Sequence, residues 1–391
     1  MDNRIYVDHS ATTPLKREVL DAMLPYLTEN FGNASTVYAE GREAKKAINI
    51  AREQVAKAIG AQEKEIFFTG SGTEADNWAI RGVAMANRQK GNHIITSAVE
   101  HHAVLHTCMA LEKEGFEVTY LPVDEYGMVS PESVKNAITD KTILVTIMTA
   151  NNEIGTIMPI EEIGKITKEA GVLFHTDAVQ AIGMMDIDVN KLNVDLLSLT
   201  GHKFYGPKGS GALYIRQGAK ISTFITGGGQ ERNRRAGTEN VAAIVGLGKA
   251  IELATADIPA HTTKLMAMRD RFIDRVLAEI PYTRLNGHRT ERMASNANIS
   301  FEFIEGESLL LMLDMKGISA SSGSACTSGS LDPSHVLLAI GLKHEVAHGS
   351  LRVTFGESNK VEDADRIVDE LKTIVARLRD MSPLYETVKN N

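Results

Sequence analysis

The sequence predicts an α/β fold: a large domain on a mainly parallel seven-stranded sheet with helices on both faces, and a smaller α+β domain. Two observations carry this. Short apolar runs recur through the middle of the chain, and segments of helical spacing separate most of them. A strand followed by a helix of that length returns to the sheet as a parallel neighbour. Beyond about residue 256 the order changes to a mixture of strands and longer helices.

In chain order, Ile5–Asp8 is a first short strand that suits a pairing with either domain. The seven apolar runs are Glu65–Thr69, His93–Ser97, Glu117–Leu121, Ile143–Ile147, Val172–His175, Leu196–Leu199 and Ala212–Ile215. Glu74–Gln89, Ala103–Lys113 and Ile160–Glu169 have helical spacing between them. From Thr238 to Glu279 the pattern is helical, with a break at Asp257-Ile258-Pro259. Asn298–Phe301, Ser308–Met315, Ser350–Phe355 and Val361–Arg379 mix strands and helices. In open parallel sheets ligands gather at the carboxyl ends of the strands, so chemistry is expected there.

Composition narrows the class. The chain has 391 residues, 42 basic against 50 acidic, and a formal net charge of −8. Hydrophobic residues at 43% with 24% charged make a core-forming chain and exclude a disordered one. The acidic balance leaves no electrostatic footprint for nucleic acid. Two cysteines in such a length are no disulfide framework and point to a reducing, cytoplasmic setting. No apolar run approaches the ~20 residues that cross a bilayer, and Met1–Tyr6 lacks the apolar stretch of a signal peptide.

Phe67–Ala75 runs a strand into Gly70 and Gly72 and then a helix. Unpaired N–H groups at a helix start attract anions, and glycine lets a phosphate approach. Gly70-x-Gly72-x-x-Ala75 also meets a lenient dinucleotide fingerprint, but no acidic residue stands at the tip of the next strand to hold a ribose; Glu100 comes later. The plain alternative is a helix cap. Asp177 follows one strand, where a lone Asp is commonly an N-cap. Lys203 follows another, where a lysine is commonly a solvated surface residue. Together, a lysine, an upstream carboxylate and a phosphate-type loop are the fixtures of pyridoxal phosphate. The amine forms the Schiff base, and the carboxylate keeps the pyridine nitrogen protonated so that the ring withdraws electrons.

Two histidine groups raise the question of a metal: His101-His102 with His106, and His344-Glu345-Val346-Ala347-His348, which matches the zinc-protease pattern. Gly341 and Gly349 enclose too short a stretch for that motif, so a surface loop is preferred for His344 and His348 and no metal site is expected. Cys326 lies in the Ser/Gly run Ser321–Ser330 with Ala325 as its one apolar neighbour. That makes it a candidate nucleophile, against the alternative of a small residue in a flexible loop. Cys108, on the apolar helical stretch Leu105–Leu111, is the ordinary buried case.

With these residues in place, the chain resembles the cysteine desulfurases of the NifS/IscS-like branch of the class V aminotransferases. The matching stretches are Ser10–Pro14, Thr69–Asn77, Glu100–Val104, Asn151–Gly155, Asp177–Gln180, Gly201–Gly209, Gly227–Glu231, Arg235–Asn240 and Ser324–Ser328. The resemblance implies a type I pyridoxal-phosphate fold and a homodimer. It implies a large domain of residues 15–255, and a small one of 1–14 and 256–391 that carries the cysteine loop 321–332.

Residue by residue, it implies Lys203 as the Schiff-base lysine, Asp177 as the pyridinium partner, Gln180 at the phenolic oxygen, and His101 stacked on the ring as a proton-transfer group. Gly72, Thr73, Thr200 and His202 match the phosphate site, and Thr238 reaches the phosphate of the neighbouring subunit. Asn152 and Arg352 match the groups that hold the substrate carboxylate, with Asn152 also beside the cofactor. His9 and Thr200 depart from the common pattern of Asn or Tyr and of Ser; Thr200 keeps the hydroxyl.

The activity implied is conversion of L-cysteine to L-alanine, with the sulfur taken by Cys326 as a persulfide. A thiol of pKa near about 8.5 is only a few per cent ionised at pH 7, so an activating neighbour is expected, with His101 the candidate. About six extended residues span about 20 Å, enough for a loop to carry sulfur to a second protein. That acceptor is left open among an iron–sulfur scaffold, nitrogenase assembly and tRNA thiolation. Cys326 then meets an iron–sulfur cluster only transiently, on the partner. Neither nucleic acid nor membrane is a direct partner. The rival readings are an aminotransferase or selenocysteine lyase of the same fold, and a non-catalytic scaffold; Cys326 speaks against the first, and Lys203, Asp177 and Cys326 together against the last.

Overall fold

The computed structural model describes residues 4–322 and 333–389. A two-residue strand, β1 (Ile5–Tyr6), comes first. Seven strands follow and form one sheet: β2 (Ile66–Thr69), β3 (His93–Ser97), β4 (Glu117–Leu121), β5 (Thr142–Thr146), β6 (Leu173–Asp177), β7 (Leu196–Thr200) and β8 (Gly211–Ile215). Their spatial order is β2-β8-β7-β6-β5-β3-β4. All neighbours pair in parallel except β8, which is antiparallel to β2 and β7. Each strand falls on one of the expected runs. The first run loses Glu65, which closes a 3-10 turn: its carboxylate accepts from the N–H of Gln62 at 3.0 Å and of Gln217 at 2.8 Å.

The alternation of side chains across the pleat fills two apolar layers. Phe67, Ile94, Leu144, Leu196 and Leu213 meet the helices Gly72–Asn87 and His102–Glu112. Their neighbours Phe68, Ile95, Val145, Leu197 and Ala212 meet the helices Ala39–Ala58, Ile160–Ala170 and Val241–Ala254 on the opposite face. Burial of each large apolar side chain contributes about 1.5–3 kcal/mol, which is why strands buried on both faces read as apolar runs.

A separate apolar cluster collects Phe272, Phe301, Phe355 and Leu371 around an antiparallel sheet of β9 (Thr283–Asn286), β10 (Asn296–Phe301) and β12 (Ser350–Thr354). The strand β11 (Ile318–Ser319) pairs in parallel with β1, so Ile5 and Val7 belong to this cluster. The helices Ile258–Glu279, Gly306–Met315 and Val361–Asp380 cover it. The Asp257-Ile258-Pro259 break is a helix start: the Asp257 side chain accepts from Ala260 N at 3.0 Å, with Pro259 in the first turn.

One expectation is corrected. His344–His348 is a five-residue helix and not a loop, because Val346 and Ala347 pack against the main core. Among the described residues, neither histidine belongs to a group spaced for a metal. Nor is any helix among the described residues long and apolar enough to cross a membrane.

Candidate active site

β2, β3, β5, β6 and β7 run in one direction, so the chain leaves all five at the same edge of the sheet. After β2, Ser71 caps the helix Gly72–Asn87, its hydroxyl accepting from Glu74 N at 3.0 Å. Glu74 in turn accepts from Gly70 N at 2.8 Å and is held by Arg235 at 2.7 Å. This fixes the helix start, where the N–H groups of Gly72 and Thr73 have no partner within the helix. Thr200, at the end of β7, donates its hydroxyl to Ser210 O at 2.8 Å. His202 lies 3.2 Å through Nδ1 from the Thr12 hydroxyl. Burial, then Lys203 and Lys208, lowers its pKa to about 4, so the ring is neutral.

Lys203 closes the 3-10 turn Gly201–Lys203 that follows β7. Its Nζ donates to the carbonyl oxygens of Ser10 at 2.5 Å and Ala11 at 2.8 Å. Gln180 Nε2 donates to the same Ser10 oxygen at 3.1 Å. Two residues on, Tyr205 has a left-handed backbone (φ 64°), which is unfavourable for a residue with a Cβ. The Thr13 hydroxyl, accepting from Tyr205 N at 2.7 Å, and the Tyr205 hydroxyl, accepting from Glu357 N at 2.8 Å, hold it there.

Asp177 ends β6 and is buried; Oδ1 accepts from Val179 N at 2.9 Å. Burial raises its pKa to about 6, against the pull of that N–H and of Lys203. His101 caps the helix His102–Glu112, with Nδ1 accepting from Ala103 N at 3.1 Å, which places the proton of the neutral ring on Nε2. Burial first, then Lys203 and the neighbouring histidines, lowers its pKa to about 4. At neutral pH it is a donor and a weak base. Arg352, on β12, is 2% exposed: Nη2 pairs with Asp8 at 2.7 Å, Nη1 donates to Asn152 O at 3.0 Å, and Nε is buried without a partner.

These groups face one cavity of about 360 Å3. It brings together Gly72, Thr73, His101, Asn152 and Asp177 with Gln180, Thr200, His202, Lys203 and Arg352. Thr238 is exposed and outside it. Cys326 lies outside the described residues. His9 also lies apart from the cavity: its ring packs between Tyr6 and Tyr205 and over Gly356, where an added Cβ would come within 2.2 Å. Sequence reasoning missed Asp76, Glu153 and His335, which line the same space. Asp76 had a signal: with Ile80 and Val83 it stands on the buried stripe of its helix.

Residues 5–367 match the family model described as Aminotransferase class-V. A "Cysteine desulfurase IscS" of Methanosarcina thermophila is 64% identical over 97% of this chain and 94% of that protein. The chain belongs to the class-V aminotransferases, among their cysteine desulfurases. Two solved structures agree. A "NIFS-LIKE PROTEIN" superposes with a TM-score of 0.90 at 36% identity, over 96% of this chain and 100% of the other. A structure described as "SspA in complex with cysteine" gives 0.80 at 38% identity, over 90% and 98%.

Pyridoxal phosphate is the cofactor of this desulfurase family, and the residues present fit it. One end of the cavity offers helix-start N–H groups and a glycine, Gly72, whose added Cβ would lie 2.8 Å from Val179 Cγ2. The other groups are an amine (Lys203) and a buried carboxylate (Asp177). Asp76, His101 and Asp177 also place ligating atoms within 4.8 Å of one another, a spacing that would suit a cation; a protonated pyridine nitrogen meets the same demand for positive charge.

Proposed function

We propose that this cavity converts L-cysteine to L-alanine and that the sulfur passes to Cys326 as a persulfide. The observation that carries the reading is the convergence of Lys203, Asp177 and Arg352 on one space. When bound, the cofactor supplies an electron sink next to the substrate α-carbon. Lys203 would hold it covalently, and its amine would move a proton at that carbon. Asp177 would keep the pyridine nitrogen protonated, with Gln180 to hold the phenolic oxygen and His101 to hold the ring. Gly72, Thr73, Thr200 and His202 would hold the phosphate. Arg352 and Asn152 hold the substrate carboxylate, with the guanidinium giving both charge and orientation. The Cys326 thiolate attacks the substrate sulfur: an S–S bond forms, the C–S bond breaks with its electron pair left on carbon, and that carbon takes up a proton. The test is incubation with L-cysteine, reading alanine release and a one-sulfur adduct by mass spectrometry. Alanine without an adduct on Cys326 would defeat the reading.

We infer further that the chain works as a homodimer in the cytoplasm, with Thr238 completing the phosphate site of the partner subunit, and that it divides into residues 15–255 and the small domain expected around them. The exposure of Thr238 outside its own cavity supports the first point. An iron–sulfur scaffold is the acceptor favoured by the IscS likeness. Sedimentation of the holoenzyme and persulfide transfer to candidate acceptors test these points.

A further inference from the structure

Asp76 lies in the first turns of the helix Gly72–Asn87, against the cavity and 1% exposed. Its Oδ1 is buried without a hydrogen-bond partner, and His175 Nε2 stands 3.7 Å away. An ionised carboxylate needs donors around both oxygens, and burying a charge without them is costly. His175 supplies no charge. Its Nδ1 meets the Thr146 hydroxyl at 2.8 Å and its Nε2 the Ser198 hydroxyl at 3.0 Å, and burial lowers its pKa to about 3.

The titratable groups facing Asp76 are Asp177 and His175 on β6, Glu100 and His101 ahead of the helix His102–Glu112, and Lys203 after β7. Lys203 favours the charged form of Asp177. For Asp76, burial and the charge of Asp177 favour the neutral form, with the Ser198 hydroxyl pulling the other way. Two carboxyl groups whose oxygens lie within 4.8 Å, both out of water, do not both ionise.

We propose that Asp76 is a positioning residue for Asp177: it stays protonated, so that the pair carries a single negative charge fixed on Asp177. This rests on the reading of Asp177 as the partner of the cofactor ring. A second charge at Asp76 would favour protonation of Asp177 and weaken its hold on the ring nitrogen. A neutral carboxyl group leaves Asp177 the one anion of the pair, and its own O–H becomes a donor in a space short of them.

The test uses full-length protein, with and without pyridoxal phosphate. Asp76→Asn keeps the shape and neutrality of the protonated acid. It is expected to remove one protonated-carboxyl band from the infrared spectrum at neutral pH and to leave the cofactor Kd within about tenfold, a change worth at most one pKa unit. Asp177→Asn, by contrast, is expected to weaken the cofactor by more than about tenfold. If the Asp76→Asn spectrum keeps every carboxyl band of the parent, Asp76 is ionised and the proposal fails. It fails equally if Asp76→Asn weakens the cofactor as much as Asp177→Asn does. If Asp177→Asn costs no affinity, the ring-partner reading falls instead, and the infrared band still decides the protonation of Asp76.

Discussion

Arg352 and Asp8 form an ion pair of 2.7 Å, with the arginine side chain 2% exposed. The pair joins β12 to the segment after β1 and keeps the guanidinium at the cavity wall. On the proposed reading a substrate carboxylate would share this cation with Asp8. Planar, forked donation is what a lysine cannot reproduce. Arg352→Lys is therefore expected to raise KM for L-cysteine by about 10- to 100-fold, as for one or two charged hydrogen bonds of about 1.5–3 kcal/mol, with a smaller fall in kcat. Initial rates of alanine formation against cysteine concentration check this. An unchanged KM would remove Arg352 from the substrate site.

Lys203 donates to two backbone carbonyls of the Ser10–Ala11 segment, so its amine is anchored beside the cavity. Lys203→Ala is expected to abolish turnover and the covalent link to the cofactor. Borohydride reduction followed by mass spectrometry reads the link directly. A reduced cofactor still attached to the variant chain would place the reactive amine elsewhere.

Much of this site was legible because position on the sheet is legible. Strands such as His93–Ser97 are buried on both faces, so they stand out as apolar runs, and Asp177 and Lys203 follow such runs directly. Arg352 was reached through the family resemblance, since nothing about a single arginine on β12 marks it from the residues alone. Glu153 and Ser334 could not be read by spacing. They are hydrogen-bonded partners 181 residues apart in the chain, joined only by the tertiary fold. Asp76 is hard to read from the sequence because a charged residue on a helix is ordinarily solvated, although here it continues a buried stripe. The short helix His344–His348 reads as a loop in the sequence, since the tertiary packing of Ala347 outweighs the weak local signal of five residues.

Glu100 makes the stability of the cofactor-free chain depend on pH. It is fully buried, accepting from Met148 N at 3.0 Å and from the Ser97 hydroxyl at 2.6 Å. Burial raises its pKa from 4.5 to about 8, against those two hydrogen bonds. A carboxyl group raised in the folded state contributes stability that is full below its unfolded pKa and is lost as pH rises through the folded one. The loss is about 1.4 kcal/mol per pH unit between those limits. Glu100→Gln has no proton to lose. Relative to the parent, it is expected to gain stability steadily from pH 5 to pH 8. Denaturant midpoints of both proteins across that range check it, and a constant difference would mean that Glu100 is ionised throughout.

Cys108 is the thiol that the described residues contain, and its surroundings exclude it as the sulfur acceptor. It is buried among Val104, Leu111 and Phe116, and burial, with Glu100 and Glu112 adding to it, pushes its pKa up to about 12. At neutral pH the thiolate fraction is then on the order of one in 10⁵, and the thiolate is the nucleophile. Of the two cysteines that leaves Cys326, which we propose as the acceptor from its Ser/Gly surroundings and the family. Cys326→Ser is expected to keep the bound cofactor and to lose both the persulfide and nearly all alanine formation, because a hydroxyl is a poor nucleophile towards sulfur. Cys108→Ser is expected to keep its activity and to lose about 1–3 kcal/mol of stability, the cost of burying a hydroxyl without a partner. The measurements are alanine release with a thiol reductant present, mass spectrometry for one added sulfur, and thermal unfolding. If Cys326→Ser turned over cysteine at the parent rate, or the added sulfur mapped to Cys108, the assignment of the acceptor would be wrong.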